Sequence, residues 1–436
     1  MLVSVDTLRA DHLGAYGGTL GLSPRIDALA LESLVFDRAY APTSFTMPSI
    51  SSLLTGRYPE EIGVLGNRSA LAPDIPTLAT VLRDHGWATA AVVSNLVLRA
   101  NSGLSEGFDH YDDVLPGREA TREWSERIAS GTTDAAIDVL EALPADEDTR
   151  LFLWVHYQDP HGPYTPPDGL REALLPEQRR RPEGLRRLTP AEGRGVRGRL
   201  PAYQEIDGQR EVAFYRAGYA AEVQYLDREF GRLLDALSAR GLGDTSLIVF
   251  TADHGESLGE RDYWFGHGEL LTDPLVRVPL MLRIPGGDAG RRSDLVAQVD
   301  LFPTLLHLLE GVAIPADARG RDLLEADAGS VDSLPYLASL ASFHTARFGI
   351  VLGNHKLILV ETERGWRPEL YRLGHEDREL SDLDPERTER MRAELLGLQA
   401  ELQTGRRENL QRLSDRDRRN LEALGYTEKL LDPGVD

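Results

Sequence analysis

Apolar positions along the chain fall into two alternating kinds of stretch. Short runs at Met1–Val5, Ala88–Val93, Leu151–Val155, Leu247–Phe250 and Pro279–Ile284 lack polar alternation, as expected of strands buried on both faces. Between them lie amphipathic stretches, Ile75–His85, Thr132–Leu143 and Tyr219–Arg240, whose apolar residues recur at helical spacing. Strands alternating with helices predict an α/β fold: βαβ units and a mainly parallel central sheet with helices on both faces. Ligand sites in such sheets gather where the strands' carboxyl ends meet their loops.

The rhythm breaks twice. Residues 166–210 are rich in Pro, Gly and Arg, including Arg179, Arg180, Arg181, Arg186, Arg187, Arg194, Arg197 and Arg199. This composition fits a solvated surface insertion, or a lid carrying positive charge over an anionic substrate. After about residue 330, Arg347–Leu352 and His355–Val360 read as hairpin strands turning at Gly353-Asn354, followed by a polar helix from Pro385 to Gln403. The expected division is therefore a catalytic domain over 1–330 and a small α+β subdomain with a helical tail over 331–436.

Composition narrows the function classes. With 41% hydrophobic and 27% charged residues, the 436-residue chain belongs with folded globular proteins. A formal charge of -22 repels phosphate backbones, which argues against nucleic acid as the main partner. It leaves room for a small anionic substrate, because a bound metal or a few local cations reverse the field inside a cleft. There are no cysteines, so disulfides and thiolate metal sites are excluded while the compartment stays open. No apolar run reaches the roughly 18 residues that a membrane-spanning helix needs. The first strand begins without lead-in, and an upstream piece is expected. Nothing in the sequence sets the oligomeric state.

Four segments carry chemistry. Asp6 ends the first strand in VSVDTLRADHLGAYG, at the expected ligand edge, though Asp there also caps helices. In SFTMPSISSLLTGRYP, Pro48 suits a first helical turn, which sets Thr46 at a helix N-terminus among free backbone N–H groups. That setting favours an alkoxide and an incoming phosphate or sulfate oxygen. In VFTADHGESLGERDYWFGHGELL, Asp253 and His254 follow a strand and suit a divalent cation, and His267 lies in a glycine-flanked loop. In FLWVHYQDPHGPYTPP, His156, Asp159 and His161 gather at another strand end.

With DTLRADHLGAYG, TSFTMPSISSLLTGRYP, DPHGPY, TADHGESLGE, GHG, VRVPLMLR, VDLFPTLL, NHKLI, PELYRL and LEALGY in this order, the chain resembles the sulfatase-like family of the alkaline phosphatase superfamily. The likeness spans nearly the whole sequence except Pro166–Arg210. It implies an alkaline-phosphatase-like fold and a metal-dependent ester hydrolase. By position it implies Asp6, Asp253 and His254 as holders of the metal and Thr46 as the metal-bound nucleophile. It also implies that His161 and His267 touch the transferred group or protonate the leaving oxygen, with Arg57 and Asn95 as substrate contacts. Asp159, His161 and His267 are the set for a second ion, as in two-metal members.

The departures from sulfatases are specific. Sulfatases resemble one another in a Cys or Ser, oxidised to formylglycine, where this chain has Thr46, and in an Arg where it has Ile50. The Cβ methyl of threonine limits oxidation to a ketone, so the hydrated aldehyde that expels sulfate cannot form. Sulfatases also pair Asp with Asp and Asp with Asn around calcium. The pairs here are Asp6-Thr7 and Asp253-His254, and a histidine ligand favours Mn²⁺ or Zn²⁺ over Ca²⁺ or Mg²⁺. The expectation is phosphate mono- or diester hydrolysis through a covalent Thr46 intermediate, with sulfate ester hydrolysis as the alternative. A phospho-group transferase and a non-catalytic binding homologue are the remaining readings.

Overall fold

A computed structural model of the chain describes residues 1–116, 126–142, 150–191, 197–309, 312–324, 336–339, 345–376, 378–402 and 408–423. Nine strands form the main sheet: β1 (Leu2–Val5), β2 (Leu34–Tyr40), β3 (Ala88–Val93), β4 (His110–Asp112), β5 (Leu151–Tyr157), β6 (Ile248–Ala252), β7 (Arg277–Val278), β8 (Leu280–Arg283) and β9 (Gly290–Ala297). β1 lies between β5 and β6, parallel to both, and β3 and β4 extend the parallel part outward from β5. On the other side β8 runs antiparallel to β6, β7 and β8 pair antiparallel with β2, and β9 pairs parallel with β2.

All four residues of β1 are buried, which accounts for its lack of polar alternation. One set of packed helices comprises α1 (Pro24–Leu31), α4 (Ala129–Ala142) and α6 (Val212–Ala239), and a second comprises α2 (Thr46–Thr55), α3 (Leu78–Asp84) and α7 (Leu301–Leu308). Burying each Leu or Val of these elements stabilises the fold by about 1.5–3 kcal/mol.

A separate antiparallel sheet runs in order β10 (Tyr336–Ser339), β11 (Arg347–Leu352), β12 (His355–Thr362) and β13 (Gly365–Arg372). The β11–β12 turn is at Gly353, whose φ of 60° is left-handed and suits glycine. Side chains alternate across the sheet. Phe348, Ile350, Leu357 and Leu359 share a core with Met391 and Leu395 of α8 (Pro385–Leu402), whereas Val351, Ile358 and Val360 pack with Tyr40, Leu271 and Val276. Lys356 lies fully buried in this arrangement and pairs with Asp273 and with Glu376, the latter at 2.7 Å.

In the 166–210 region, α5 (Leu170–Arg180) packs on α6. Much of its positive charge is matched locally. Arg179 pairs with Glu211 at 2.6 Å, Arg186 with Glu183 and Asp262 at 3.0 and 2.8 Å, and Arg210 with Glu205 at 2.7 Å. Arg194 falls outside the described residues.

Candidate active site

Because β3, β5, β1 and β6 run parallel side by side, their carboxyl ends open on one edge of the sheet. Asp6 follows β1, Asp253 follows β6, and the His156–His161 segment leaves β5. The first turn of α2 is tied to the same edge: the Ser49 hydroxyl donates to the Asp253 carbonyl at 2.6 Å, and Gln298 donates to the Ala252 carbonyl at 2.7 Å. Thr46 is therefore delivered to the carboxylates by packing, not by its neighbours in sequence.

The four central side chains are all fully buried and meet. Thr46 Oγ1 lies 3.3 Å from His254 Nε2, which lies 3.8 Å from Asp6 Oδ1 and 3.6 Å from Asp253 Oδ2. His254 Nδ1 faces the Gly255 carbonyl at 2.9 Å and donates to it, so the Nε2 lone pair points into the cluster. Asp253 Oδ1 accepts from the backbone N–H groups of Thr7 and His254 at 3.2 and 2.6 Å, which leaves Oδ2 turned inward.

Asp6 Oδ1 and Asp253 Oδ2 are buried with no hydrogen-bond partner among the described residues. Orphaned carboxylate oxygens inside a protein are costly unless something positive meets them. Two hard oxygens and one imidazole nitrogen, mutually within 4.8 Å, fit a divalent cation. Metal–ligand bonds of ~2.0–2.2 Å permit donor atoms about 3–4 Å apart, as found here. Burial raises the pKa of both Asp6 and Asp253, and for Asp253 the neighbouring Asp6 adds to the rise. Burial also opposes charge on His254, but the two carboxylates outweigh it and raise its pKa.

Around this centre the histidines line up. The ring of His267 lies 4.7 Å from that of His254 and 5.1 Å from that of His161, centroid to centroid. His161 Nδ1 donates to the Gly162 carbonyl at 2.7 Å, and His267 Nδ1 to Glu256 Oε1 at 3.2 Å, so both rings present Nε2. Burial pulls His161 down to about 4 and His267 well below its ordinary value, so both are neutral when no anion is present.

Other expected residues take different places. Asn95 reaches the site through Asp6: its side-chain amide donates to Asp6 Oδ2, while its carbonyl oxygen accepts from Val97 N at 2.9 Å. His156 is buried with Nδ1 against Ser4 Oγ at 2.9 Å and Nε2 3.9 Å from Asp6 Oδ2. Asp159 accepts from the Ala129 backbone N–H at the start of α4 at 2.6 Å, and the converging acid–histidine group among the described residues is Asp6, Asp253 and His254. Arg57 is not drawn into the cluster. It lies beyond the far end of α2, about 15 Å along the helix from Thr46 at ~1.5 Å per residue, and pairs with Asp317.

The start of α2 also differs from expectation. Of the several free N–H groups foreseen there, Met47 N already donates to Asn67 Oδ1 at 2.9 Å, Pro48 has none, and Ser49 N bonds the Phe45 carbonyl at 3.1 Å. The helix start therefore offers few free N–H groups. The Nδ2 of Asn67 is buried and has no partner among the described residues, while its Oδ1 holds the backbone of Met47, next to Thr46. Sequence inspection missed Asn67, which lies in a loop without periodicity. Sequence inspection also passed over Glu256, two residues after His254, whose contact with His267 only the fold reveals.

The sulfatase family model matches residues 1–312. The chain belongs to the sulfatase family. Members of this family hydrolyse sulfate and phosphonate esters and bind a divalent metal. Human iduronate 2-sulfatase is 29% identical over 388 residues, covering 72% of this chain and 69% of its own length. An uncharacterised sulfatase, YidJ of Escherichia coli, is 24% identical over 353 residues, covering 71% and 67%. A solved structure in complex with its substrate D-glucosamine-2-N,6-O-disulfate superposes with a TM-score of 0.75 at 22% identity, covering 92% of this chain and 97% of its own. The phosphonate monoester hydrolase of Silicibacter pomeroyi gives 0.73 at 22% identity, covering 92% and 95%. These structural neighbours share the alkaline-phosphatase-like fold with this sulfatase-family hydrolase. No described helix is long and apolar enough to cross a membrane.

Proposed function

We propose that this sulfatase-family chain hydrolyses phosphate mono- or diesters through a covalent intermediate on Thr46. The observation that carries the reading is the side chain at the nucleophile position: Thr46 Oγ1 faces the Asp6–Asp253–His254 group, and its Cβ methyl bars conversion to an aldehyde. An ester of plain threonine has to be opened by water at its central atom, which suits phosphorus better than sulfur.

A divalent cation held by Asp6, Asp253 and His254, with Mn²⁺ or Zn²⁺ favoured by the imidazole donor, would supply the charge that acidifies the Thr46 hydroxyl and polarises a non-bridging ester oxygen. The acidified Thr46 hydroxyl releases its proton to solvent and Oγ1 attacks phosphorus in line; the Oγ1–P bond forms as the bond to the leaving oxygen breaks, and Oγ1 takes a proton back from solvent when Thr46 is freed. His161 or His267 gives the departing alkoxide a proton from Nε2, which the arriving anion allows by favouring the charged imidazole. The same histidine then takes a proton from the water that attacks phosphorus and frees Thr46. Asn67 Nδ2 offers a donor to the equatorial oxygens.

A second reading, sulfate ester hydrolysis, is favoured by the names of the relatives, which include iduronate 2-sulfatase and the choline-sulfatase of Rhizobium meliloti. Parallel assays of aryl phosphate, phosphodiester, phosphonate and sulfate esters with Mn²⁺, Zn²⁺ and Ca²⁺ separate the two. Phosphoester turnover well above sulfate turnover is the expected result, and sulfate as the sole good substrate would overturn the first reading.

A further inference from the structure

His156, which the mechanism leaves unused, belongs to a polar line that crosses the apolar interior of the main sheet. Ser4 of β1 and His156 of β5 are register partners on adjacent parallel strands. Trp154, two residues earlier on β5, donates from Nε1 to Ser4 Oγ at 2.9 Å, and Ser4 Oγ lies 2.9 Å from His156 Nδ1. All three side chains are fully buried. Polar groups in such a layer carry a desolvation cost that Leu or Val would not, so their hydrogen bonds have to be complete.

That requirement fixes the imidazole. An indole N–H only donates, so Ser4 Oγ accepts it. Among the described residues the Ser4 hydroxyl has one acceptor for its own proton, His156 Nδ1. Nδ1 is therefore the accepting nitrogen, and the ring proton sits on Nε2. Nε2 has no hydrogen-bond partner among the described residues, and Asp6 Oδ2 lies 3.9 Å from it, about 1 Å beyond a hydrogen bond. The same Oδ2 accepts from the Asn95 amide, whereas Asp6 Oδ1 has no hydrogen-bond partner and faces His254 Nε2 at 3.8 Å. The carboxylate is restrained on one oxygen and presented by the other.

Resting on the metal assignment above, we propose that Trp154, Ser4 and His156 are positioning residues: the Nε2–H of His156 restrains Asp6 Oδ2, so that Oδ1 is aimed at the cation. The test measures Kd and stoichiometry for Mn²⁺ and Zn²⁺ by competition with a chromophoric chelator, with the Tm of the metal-free protein as the check on folding. Wild type, His156→Leu, His156→Gln and Ser4→Ala are compared. His156→Leu is expected to bind both ions about 10- to 100-fold more weakly, the usual worth of a group that orients a metal ligand. His156→Gln keeps an N–H that can reach Asp6 and is expected to recover most of that affinity. Ser4→Ala, which barely changes the packing and frees the tautomer, is expected to weaken binding in the same direction by less. The number of ions bound stays the same in all four. Unchanged Kd values in folded His156→Leu and Ser4→Ala would overturn the proposal, and so would a His156→Gln variant as weak as His156→Leu. Loss of a bound ion with His156 would make it a ligand instead. If His156→Leu does not fold, Ser4→Ala decides by itself. A wild-type protein that binds neither ion would remove the metal assignment, an outcome distinct from all of these.

Discussion

Replacing Asp253 by Asn should stabilise the metal-free protein while abolishing its response to metal. Asp6 and Asp253 present donor oxygens within 4.8 Å of one another, both carboxylates fully buried. Two unit charges at that separation repel by about 3 kcal/mol at an effective dielectric of ~20. Burial and this repulsion raise the pKa of Asp253, so the metal-free fold keeps a proton that the unfolded chain releases at lower pH. Stability of the metal-free protein accordingly falls as pH rises through that window and is lowest once both acids ionise. Asparagine keeps the Oδ1 that accepts from Thr7 N and His254 N, and removes the charge. For a chain of this length, 3 kcal/mol corresponds to about 3 °C in Tm. Wild type should gain a similar amount, about 2.7 kcal/mol, from metal at 100 times its Kd. Calorimetry of chelated and metal-loaded protein at pH 8 checks both halves. A metal-free Asp253→Asn variant less stable than wild type, or one whose Tm still rises with metal, would refute the reasoning.

Lys356→Met should cost about 3–5 kcal/mol at neutral pH, because Asp273 and Glu376 lose the buried cation between them. Asp273 has a lowered pKa, through Lys356 acting against burial, so its share of stability is present above the ordinary carboxylate value and lost as pH falls. The gap between wild type and variant in urea melts should therefore narrow on acidification. Asn67→Ala should lower kcat by roughly 100-fold, the worth of one donor to developing charge, and destabilise by only about 1 kcal/mol for the lost Met47 cap. Of His161→Asn and His267→Asn, the variant lacking the proton donor should lose about 100-fold or more on an alkyl ester and far less on a nitrophenyl ester, whose oxygen leaves unaided.

The central strands and the residues at their ends were legible because parallel strands buried on both faces leave unbroken apolar runs, and the residues just past those runs land on one edge of the sheet. Asp6, Asp253, His254 and His161 were placed by that logic. Thr46 was legible as a helix start, yet the anion hole imagined there was not, since Asn67 reaches Met47 N from a loop 20 residues on. Arg57 was expected as a substrate contact from the family resemblance, and a ten-residue helix separates it from Thr46. The arginines of 166–210 read as a solvated insertion or a charged lid; some of their partners, Glu183 and Glu205, lie within the segment, whereas Asp262 and Glu269 lie on segments that only folding brings near. Local pattern therefore predicted elements and edges, while pairing across elements decided which polar groups stayed available.

Thr46→Val keeps the shape of a fully buried side chain and removes only the oxygen on which the chemistry is proposed to turn. With metal content and Tm measured on the same preparation, kcat on the best ester of the panel is predicted to fall at least 1,000-fold, on the order seen when a nucleophile is lost. A variant that still turns over within tenfold of wild type would contradict the account.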